Sequence, residues 1–387
     1  MSIIVPIGPY HPALHEPELF KVYVEGETIV DVELRLGYIH RGIEKLGESR
    51  DFLKNIYLAE RVCGICGEHH VQCFVQAVEK LEGIVPPERA EYIRTIMLEL
   101  ERIHSHLLLL GVSAHEMGYD TVFMHLWGVR ENLMDLVELI SGNRKTYAMI
   151  TIGGVRRDIS RDQADKARKV LKSLKDYMSI VKKIFENDRT LRLRTVGRGV
   201  LSYSDAKLLD VVGPVARGSG VKIDIRADSP YAAYRDVGVE VKTRSEGDSW
   251  ARFMVRIDEV NESCNIVLRA LDAMPQGEYR EPYFTKLPVG EVSSRVEAHR
   301  GELIHYLLVK GDNKPYRWRI RTPTYANLAA IPKLLIGESI AEIPINIISI
   351  DPCFSCTERT VTIVKHDTLE EKVVKIKDLW RRFRRSV

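Results

Sequence analysis

The sequence predicts an α+β fold: a central antiparallel helical bundle with peripheral small β-sheets. Three observations predict it. Long stretches beyond residue 86 carry apolar residues at a three-four spacing, short stretches alternate at period two, and glycine-rich connections separate them. The 387 residues are 45% hydrophobic, enough for one large core or two domains.

Near the N-terminus, Val22 and Val24, then Val30, Val32, Leu34 and Leu36, alternate on either side of Glu25-Gly26-Glu27, the pattern of a hairpin with one buried face. From Arg41 to Leu81 the pattern turns helical, and a cysteine pair interrupts it at Gly64 and Gly67. Pro86-Pro87 opens a long helix, because proline suits a first turn, and Ile93, Ile96, Met97, Leu100, Ile103, Leu107 and Leu110 form its apolar stripe. Two further helices are expected near 121–141 and 161–187, separated by the Gly153-Gly154 loop.

The region 195–247 reads as irregular, and another helix runs from Ser249 to Asp272, short of Pro275. A hairpin is expected at 303–321 around Gly311-Asp312-Asn313, and the apolar run Ile343 to Ile350 leads into a second cysteine pair. The chain thus divides into an N-terminal β region (1–50), a helical bundle with the first pair (51–190), an α+β region ending in the second pair (191–359) and a tail (360–387).

A net charge of +3 argues against nucleic acid as a partner. No stretch approaches the ~20 apolar residues of a membrane span, and Met1-Ser-Ile-Ile-Val-Pro lacks the features of a signal peptide. The expectation is a cytoplasmic chain that meets a membrane only through partners.

The six cysteines do not read as a disulfide framework. Cys73 and Cys264 have no partner in sequence and read as buried small hydrophobes. The other four stand in Arg61-Val-Cys63-Gly-Ile-Cys66-Gly-Glu-His-His70 and Asp351-Pro-Cys353-Phe-Ser-Cys356-Thr-Glu-Arg359. Each Cys-x-x-Cys lets two thiolates face one ion, and two pairs complete a four-sulfur site for soft or borderline metals. A structural zinc site is the plain alternative, but zinc modules keep their pairs within a few tens of residues, whereas these stand near opposite ends of the chain.

The two motifs, in this order, resemble the paired signatures of nickel–iron hydrogenase large subunits, and Arg359, where many relatives have histidine, is similar to the membrane-bound, energy-converting branch. Gly8-Pro-Tyr-His11-Pro, Gly37-Tyr-Ile-His40-Arg-Gly-Ile-Glu-Lys45, Gly153-Gly-Val, Arg217-Gly-Ser-Gly220 and Pro315-Tyr-Arg317 resemble segments shared with the 49-kDa quinone-site subunit of respiratory complex I, which lacks the four cysteines. The resemblance implies the hydrogenase large-subunit, complex I 49-kDa-like fold. It also implies a NiFe centre, its iron carrying diatomic ligands, with Cys63 and Cys353 as terminal nickel ligands and Cys66 and Cys356 bridging nickel to iron.

By the same resemblance Glu16 passes protons near a bridging thiolate, His70 hydrogen-bonds a bridging sulfur, and Arg300, with Asp351 beside it, hangs over the metals. Read from residue chemistry alone, Glu16 is a surface or N-cap glutamate, His70 a satisfied core histidine, and Arg300 a turn residue in an ion pair. The implied partners are an iron–sulfur small subunit with 4Fe-4S clusters, a complex I 30-kDa-like subunit, membrane antiporter-like and proton-channel subunits, and ferredoxin as electron donor. The complex would lie at the cytoplasmic face of the membrane.

The chain departs from the pattern at three places. His299 stands where the family places proline, and Glu68 and His69 replace small residues in the first motif. In the family a protease removes the residues beyond the position of Arg359. Here Thr360 to Val387 extend past it, which implies a precursor or a relative that never receives nickel. By composition the tail reads as an amphipathic surface helix with a basic end for a partner or a membrane surface. Two enzyme readings result: proton reduction to hydrogen coupled to ion translocation, and reduction of sulfur or polysulfide by a relative without NiFe. A quinone oxidoreductase subunit or a non-catalytic coupling subunit would have no use for the four cysteines.

Overall fold

The structure is a computed structural model that describes residues 2–12, 14, 16–282 and 288–357, and the strands at 360–364 and 371–375. Three antiparallel strands open the chain: β1 (Ile3–Ile7), β2 (Leu19–Glu25) and β3 (Thr28–Arg35). The expected hairpin is β2–β3, with Val22 opposite Val32, and β1 adds an edge that the alternation did not reveal. Phe20, Val22, Val24, Ile29 and Val32 are buried on one face, against a core that includes Val215, Leu334 and Ile347.

Helices α1 (Ile43–Gly47), α2 (Phe52–Glu60) and α3 (Gly67–Glu82) come next in the chain, and the loop between α2 and α3 carries the first cysteine pair. After them stand α4 (Glu88–Glu116), α5 (Asp120–Ser141), the short strands β4 (Ile150–Thr151) and β5 (Gly154–Val155), and α6 (Arg161–Asn187). Helix α4 packs against α5 and the Ser249–Ala273 helix, which also meets α6. The helices differ as their positions require. In α6 the buried residues form one stripe (Ala167, Leu171, Leu174, Met178, Val181, Phe185), as on a bundle's outer helix, whereas α4 is buried almost all round.

That burial encloses charge. Glu99, Glu101, Arg102, His104 and His106 of α4 are all inaccessible to solvent. The partners of Glu99 come from the region that reads as irregular in sequence, where the structure places short helices including Gly213–Gly218 and Ile225–Asp228. Arg226 donates to both oxygens of Glu99 at 3.1 Å, and Arg217 bridges Glu259 and Glu297 at 2.7 Å each.

A second three-stranded sheet, β6 (Val289–Ala298), β7 (Gly301–Lys310) and β8 (Arg317–Arg321), packs against α3. The predicted hairpin is β7–β8. Strand β6 extends it, and Ala298 pairs with Gly301 across a two-residue turn made of His299 and Arg300. The apolar run before the second cysteine pair is a helix, Ile343–Ser349, with proline in its first turn.

The tail corrects an expectation. Where described it forms the antiparallel strands β9 (Thr360–Val364) and β10 (Glu371–Lys375) rather than a helix, consistent with the β-branched content of Thr-Val-Thr-Ile-Val and its partner. Arg359 and the basic end of the tail lie outside the described residues.

Candidate metal centre

The two cysteine pairs, remote in sequence, meet between the two cores. Cys63, Cys66, Cys353 and Cys356 belong to the helical core, while Phe354, between the second pair, belongs to the other core and packs edge-on to Phe20 with ring centroids 6.0 Å apart. Cys353 Sγ lies 3.4 Å from Cys63 Sγ and 3.1 Å from Cys356 Sγ, and the sulfurs of Cys63, Cys66 and Cys356 are mutually within 4.8 Å. All four side chains are buried, with no disulfide among them.

Local structure aims these sulfurs. Helix α3 begins directly after Cys66, so the positive end of its dipole faces the thiols. Ile65 N and Cys66 N donate to Cys63 Sγ at 3.3 and 3.2 Å. In the second loop Asp351 holds a left-handed backbone (φ +56°), which is costly for a non-glycine residue and turns the chain out of the Ile343–Ser349 helix toward Cys353. Thr324 Oγ1 accepts the Cys353 N–H at 3.1 Å, and Thr322 Oγ1 donates to the Cys356 carbonyl at 2.9 Å.

The electrostatics of the cluster are divided. Burial opposes ionisation of the Cys63 thiol, yet hydrogen bonds from Cys353, Cys356 and Cys66 and the charge of Arg300 hold it well below the usual thiol range. Burial pushes the Cys66 and Cys356 thiols up. Because a cation binds thiolates, neighbours held in the thiol form would release protons when one arrives.

Each residue predicted for the site lies beside it. Glu16 Oε2 accepts the N–H groups of Phe354 and, at 3.1 Å, Ser355, so this carboxylate caps the second cysteine loop. His70 Nε2 lies 4.0 Å from Cys356 Sγ, and its Nδ1 is 3.1 Å from His305 Nε2. Arg300 is buried and donates twice to Asp351, from Nε to the backbone carbonyl and from Nη2 to Oδ1, both at 2.7 Å. Burial opposes the Arg300 charge, and Asp351 with the nearby cysteines restores it.

Sequence reasoning missed two residues. Arg41 donates to the carbonyls of Arg61 (2.7 Å) and Val62 (2.6 Å) in the first loop and of Ser355 (2.9 Å) in the second, clamping the loops together. His305 supports His70 from behind and receives the Trp318 indole N–H at 3.4 Å. The signal for His305 was present: it occupies a buried position of β7 in the alternation Leu303, His305, Leu307, Val309. Cys73 and Cys264 are buried away from this cluster, and Cys73 donates to the Ser294 carbonyl at 3.3 Å.

A buried four-thiol site, with a carboxylate capping one of its loops and a buried arginine beside it, is a donor set that could hold a soft metal ion. The chain matches the family model for the respiratory-chain NADH dehydrogenase 49 kDa subunit over residues 116–285 and 282–359, and that for nickel-dependent hydrogenase over 41–110. It is 42% identical to the membrane-bound hydrogenase subunit alpha of Pyrococcus furiosus, over 97% of this chain and 93% of that one. It is 40% identical to the carbon monoxide-induced hydrogenase of Rhodospirillum rubrum, over 92% of this chain and 99% of the other. Among solved structures, a chain of the archaeal membrane-bound sulfane sulfur reductase superposes with a TM-score of 0.88 at 30% identity, covering 92% of this chain and 98% of that one. The chain therefore belongs to the oxidoreductase family that joins nickel–iron hydrogenase large subunits to the 49 kDa subunit of complex I. Among the described residues, no helix is long and apolar enough to cross a membrane.

Proposed function

We propose that this chain is the catalytic subunit of a membrane-bound, ferredoxin-linked, energy-converting complex that reduces protons to hydrogen. The observation that carries this reading is the convergence of four buried sulfurs, with Cys353 Sγ 3.4 Å from Cys63 and 3.1 Å from Cys356. Four soft donors in a dry site fit a nickel–iron group. Cys63, Cys66, Cys353 and Cys356 would hold that group. When bound, that centre supplies the redox chemistry that joins two electrons and two protons into hydrogen.

The chain's own residues would manage protons and charge. Glu16 accepts two backbone N–H groups at Oε2, which fixes the carboxyl beside the Cys353–Cys356 turn, where it would relay protons. His70, held by His305, stands 4.0 Å from Cys356 and would tune that sulfur by hydrogen bonding. Arg300 places a fixed positive charge beside the cluster, anchored by Asp351. Electrons would enter through an iron–sulfur small subunit carrying 4Fe-4S clusters. The chain would sit peripherally at the cytoplasmic face of the membrane, with complex I 30-kDa-like, antiporter-like and proton-channel subunits coupling the reaction to ion movement.

A second reading, reduction of sulfur or polysulfide without nickel, is favoured by the likeness to the sulfane sulfur reductase and by His299, Glu68 and His69, which depart from the hydrogenase pattern. Metal analysis of the native complex separates the two. About one nickel per chain is expected if the four thiolates hold a mononuclear nickel position. A nickel-free complex that reduces polysulfide would overturn the hydrogenase reading.

A further inference from the structure

Two of the three departures from the hydrogenase pattern, His69 and His299, lie together in the fold beside Arg300. His299 and Arg300 are the two residues of the tight turn between β6 and β7. Asp351 occupies one edge of the Arg300 guanidinium, taking Nε and Nη2, and His299 Nε2 faces the remaining nitrogen, Nη1, at 2.6 Å. Arginine can only donate, so His299 Nε2 accepts and, in the neutral ring, Nδ1 carries the proton. Burial, with the Arg300 charge beside it, disfavours the protonated ring and keeps His299 neutral.

His69 Nδ1 lies 2.6 Å from Glu101 Oε2, and both Glu101 oxygens already receive backbone N–H groups, of Glu68 at 3.0 Å and of His69 at 3.2 Å. Glu101 thus takes the Nδ1 proton of His69 and leaves Nε2 as a bare acceptor. The result is a complementary pair, an N–H on His299 Nδ1 and a lone pair on His69 Nε2. Both rings are fully buried, and neither atom has a hydrogen-bond partner among the described residues. The rings stand perpendicular with centroids 5.6 Å apart, and a ring nitrogen of each, with a Glu101 oxygen, lie within 4.8 Å of one another. One water forming two hydrogen bonds of ordinary length spans roughly 4.5–5 Å.

We propose that Glu101, His69, one buried water and His299 form a positioning chain that locks Arg300 over the cysteine cluster. This rests on the reading of that cluster as the reaction centre. A proline at position 299 would set the turn through its fixed φ. Histidine gives up that backbone restraint and replaces it with a side-chain brace on the arginine itself. Arg102 reinforces the turn, donating to the carbonyls of Glu297 (2.6 Å) and Ala298 (3.2 Å). The same three side chains match the donor types of a divalent-metal site, but a cation on His299 Nδ1 would move its proton to Nε2, against the Arg300 N–H.

The test uses the native complex with His299→Ala, His299→Gln and His69→Phe. A glutamine oxygen can still accept from Arg300. His299→Ala should lower kcat by a factor on the order of 10², with KM and metal content unchanged, and His299→Gln should recover most of that loss. His69→Phe should fall between them. A high-resolution structure should show a water between His69 and His299, and in His299→Ala an Arg300 guanidinium shifted from its place beside Asp351. That structural readout does not depend on which reaction the centre performs, so nickel-free protein with Arg300 displaced from its place beside Asp351 would refute the hydrogenase reading and keep this one. A metal ion in place of the water, Arg300 still in its place beside Asp351 in His299→Ala, or an equal loss in the alanine and glutamine variants would each overturn it.

Discussion

Arg41 donates to the carbonyl of Ser355 at 2.9 Å while holding the carbonyls of Arg61 and Val62, so one guanidinium sets the distance between two loops from opposite ends of the chain. These carbonyls lie near the surface, where water can replace a lost donor, so Arg41→Ala should cost no more than about 1 kcal/mol of stability. The four-sulfur geometry should suffer more. Cadmium titration of reduced, metal-free protein, monitored by thiolate absorption, should show at least tenfold weaker binding in Arg41→Ala. Unchanged affinity would mean that the loops hold their spacing without the clamp.

Arg300 and Asp351 form a buried pair, with side chains 3% and 4% exposed, and for such pairs the cost of breaking exceeds the worth of making. Asp351→Ala strands a guanidinium and should destabilise the chain by about 3–5 kcal/mol. Replacing both, as Arg300→Leu with Asp351→Ala, should recover part of that loss because no bare charge remains buried. Denaturant unfolding of the four proteins of the cycle measures this. A double variant no more stable than Asp351→Ala would show that the charge is not what Asp351 compensates.

Much of the scaffold was legible in sequence because it rests on periodicity: α4, α6 and the Ser249–Ala273 helix obey apolar spacings, and β2–β3 and β7–β8 obey alternation around turn residues. The four cysteines were legible by spacing and chemistry. What periodicity could not reveal was pairing by charge. Strand β6 alternates exposed and buried positions from Glu291 to Val296, but polar Ser294 and Glu297 occupy buried places and hide the apolar period, and its end is held by Arg102, Arg217 and Tyr231. The short helices of 203–237 exist to bring Arg217 and Arg226 to Glu259, Glu297 and Glu99, contacts with no local signature. For the same reason His69 and His299 looked like isolated anomalies until the fold set their rings 5.6 Å apart.

Gly213 offers a test of how tightly the Arg300 turn is seated. Its φ is +67°, and a Cβ there would stand 2.3 Å from the Arg300 carbonyl oxygen and 2.5 Å from Gly301 Cα, backbone atoms that cannot swing aside. Gly197 has almost the same φ, +68°, with nothing within 4 Å of its Cβ position. Gly197→Ala should therefore cost only the left-handed penalty of about 1–2 kcal/mol, and Gly213→Ala at least about 3 kcal/mol. Equal thermal shifts in the two variants would show that the turn yields without cost.

The buried charges of α4 set the response to acid. Burial drives His106 down to about 4 from an ordinary 6.5, against the pull of Glu259. Burial alone would raise Glu99, but Arg226 and Arg102 outweigh it and bring this carboxyl down to about 2 from 4.5. In both cases the folded state binds its proton less readily than the unfolded state, so stability is complete above the unfolded value and is lost as pH falls toward the folded one. The His106 contribution disappears between pH 6.5 and 4, and that of Glu99 between 4.5 and 2. His69, His104 and His299, lowered by burial, add to the first interval. Thermal midpoints of the complex should hold steady above pH 7 and fall progressively below 6.5. His106→Gln should flatten that fall by one proton's share, about 1.4 kcal/mol per pH unit. A midpoint unchanged down to pH 4 would mean that these imidazoles take up protons in place, with their carboxylate partners stabilising the cation.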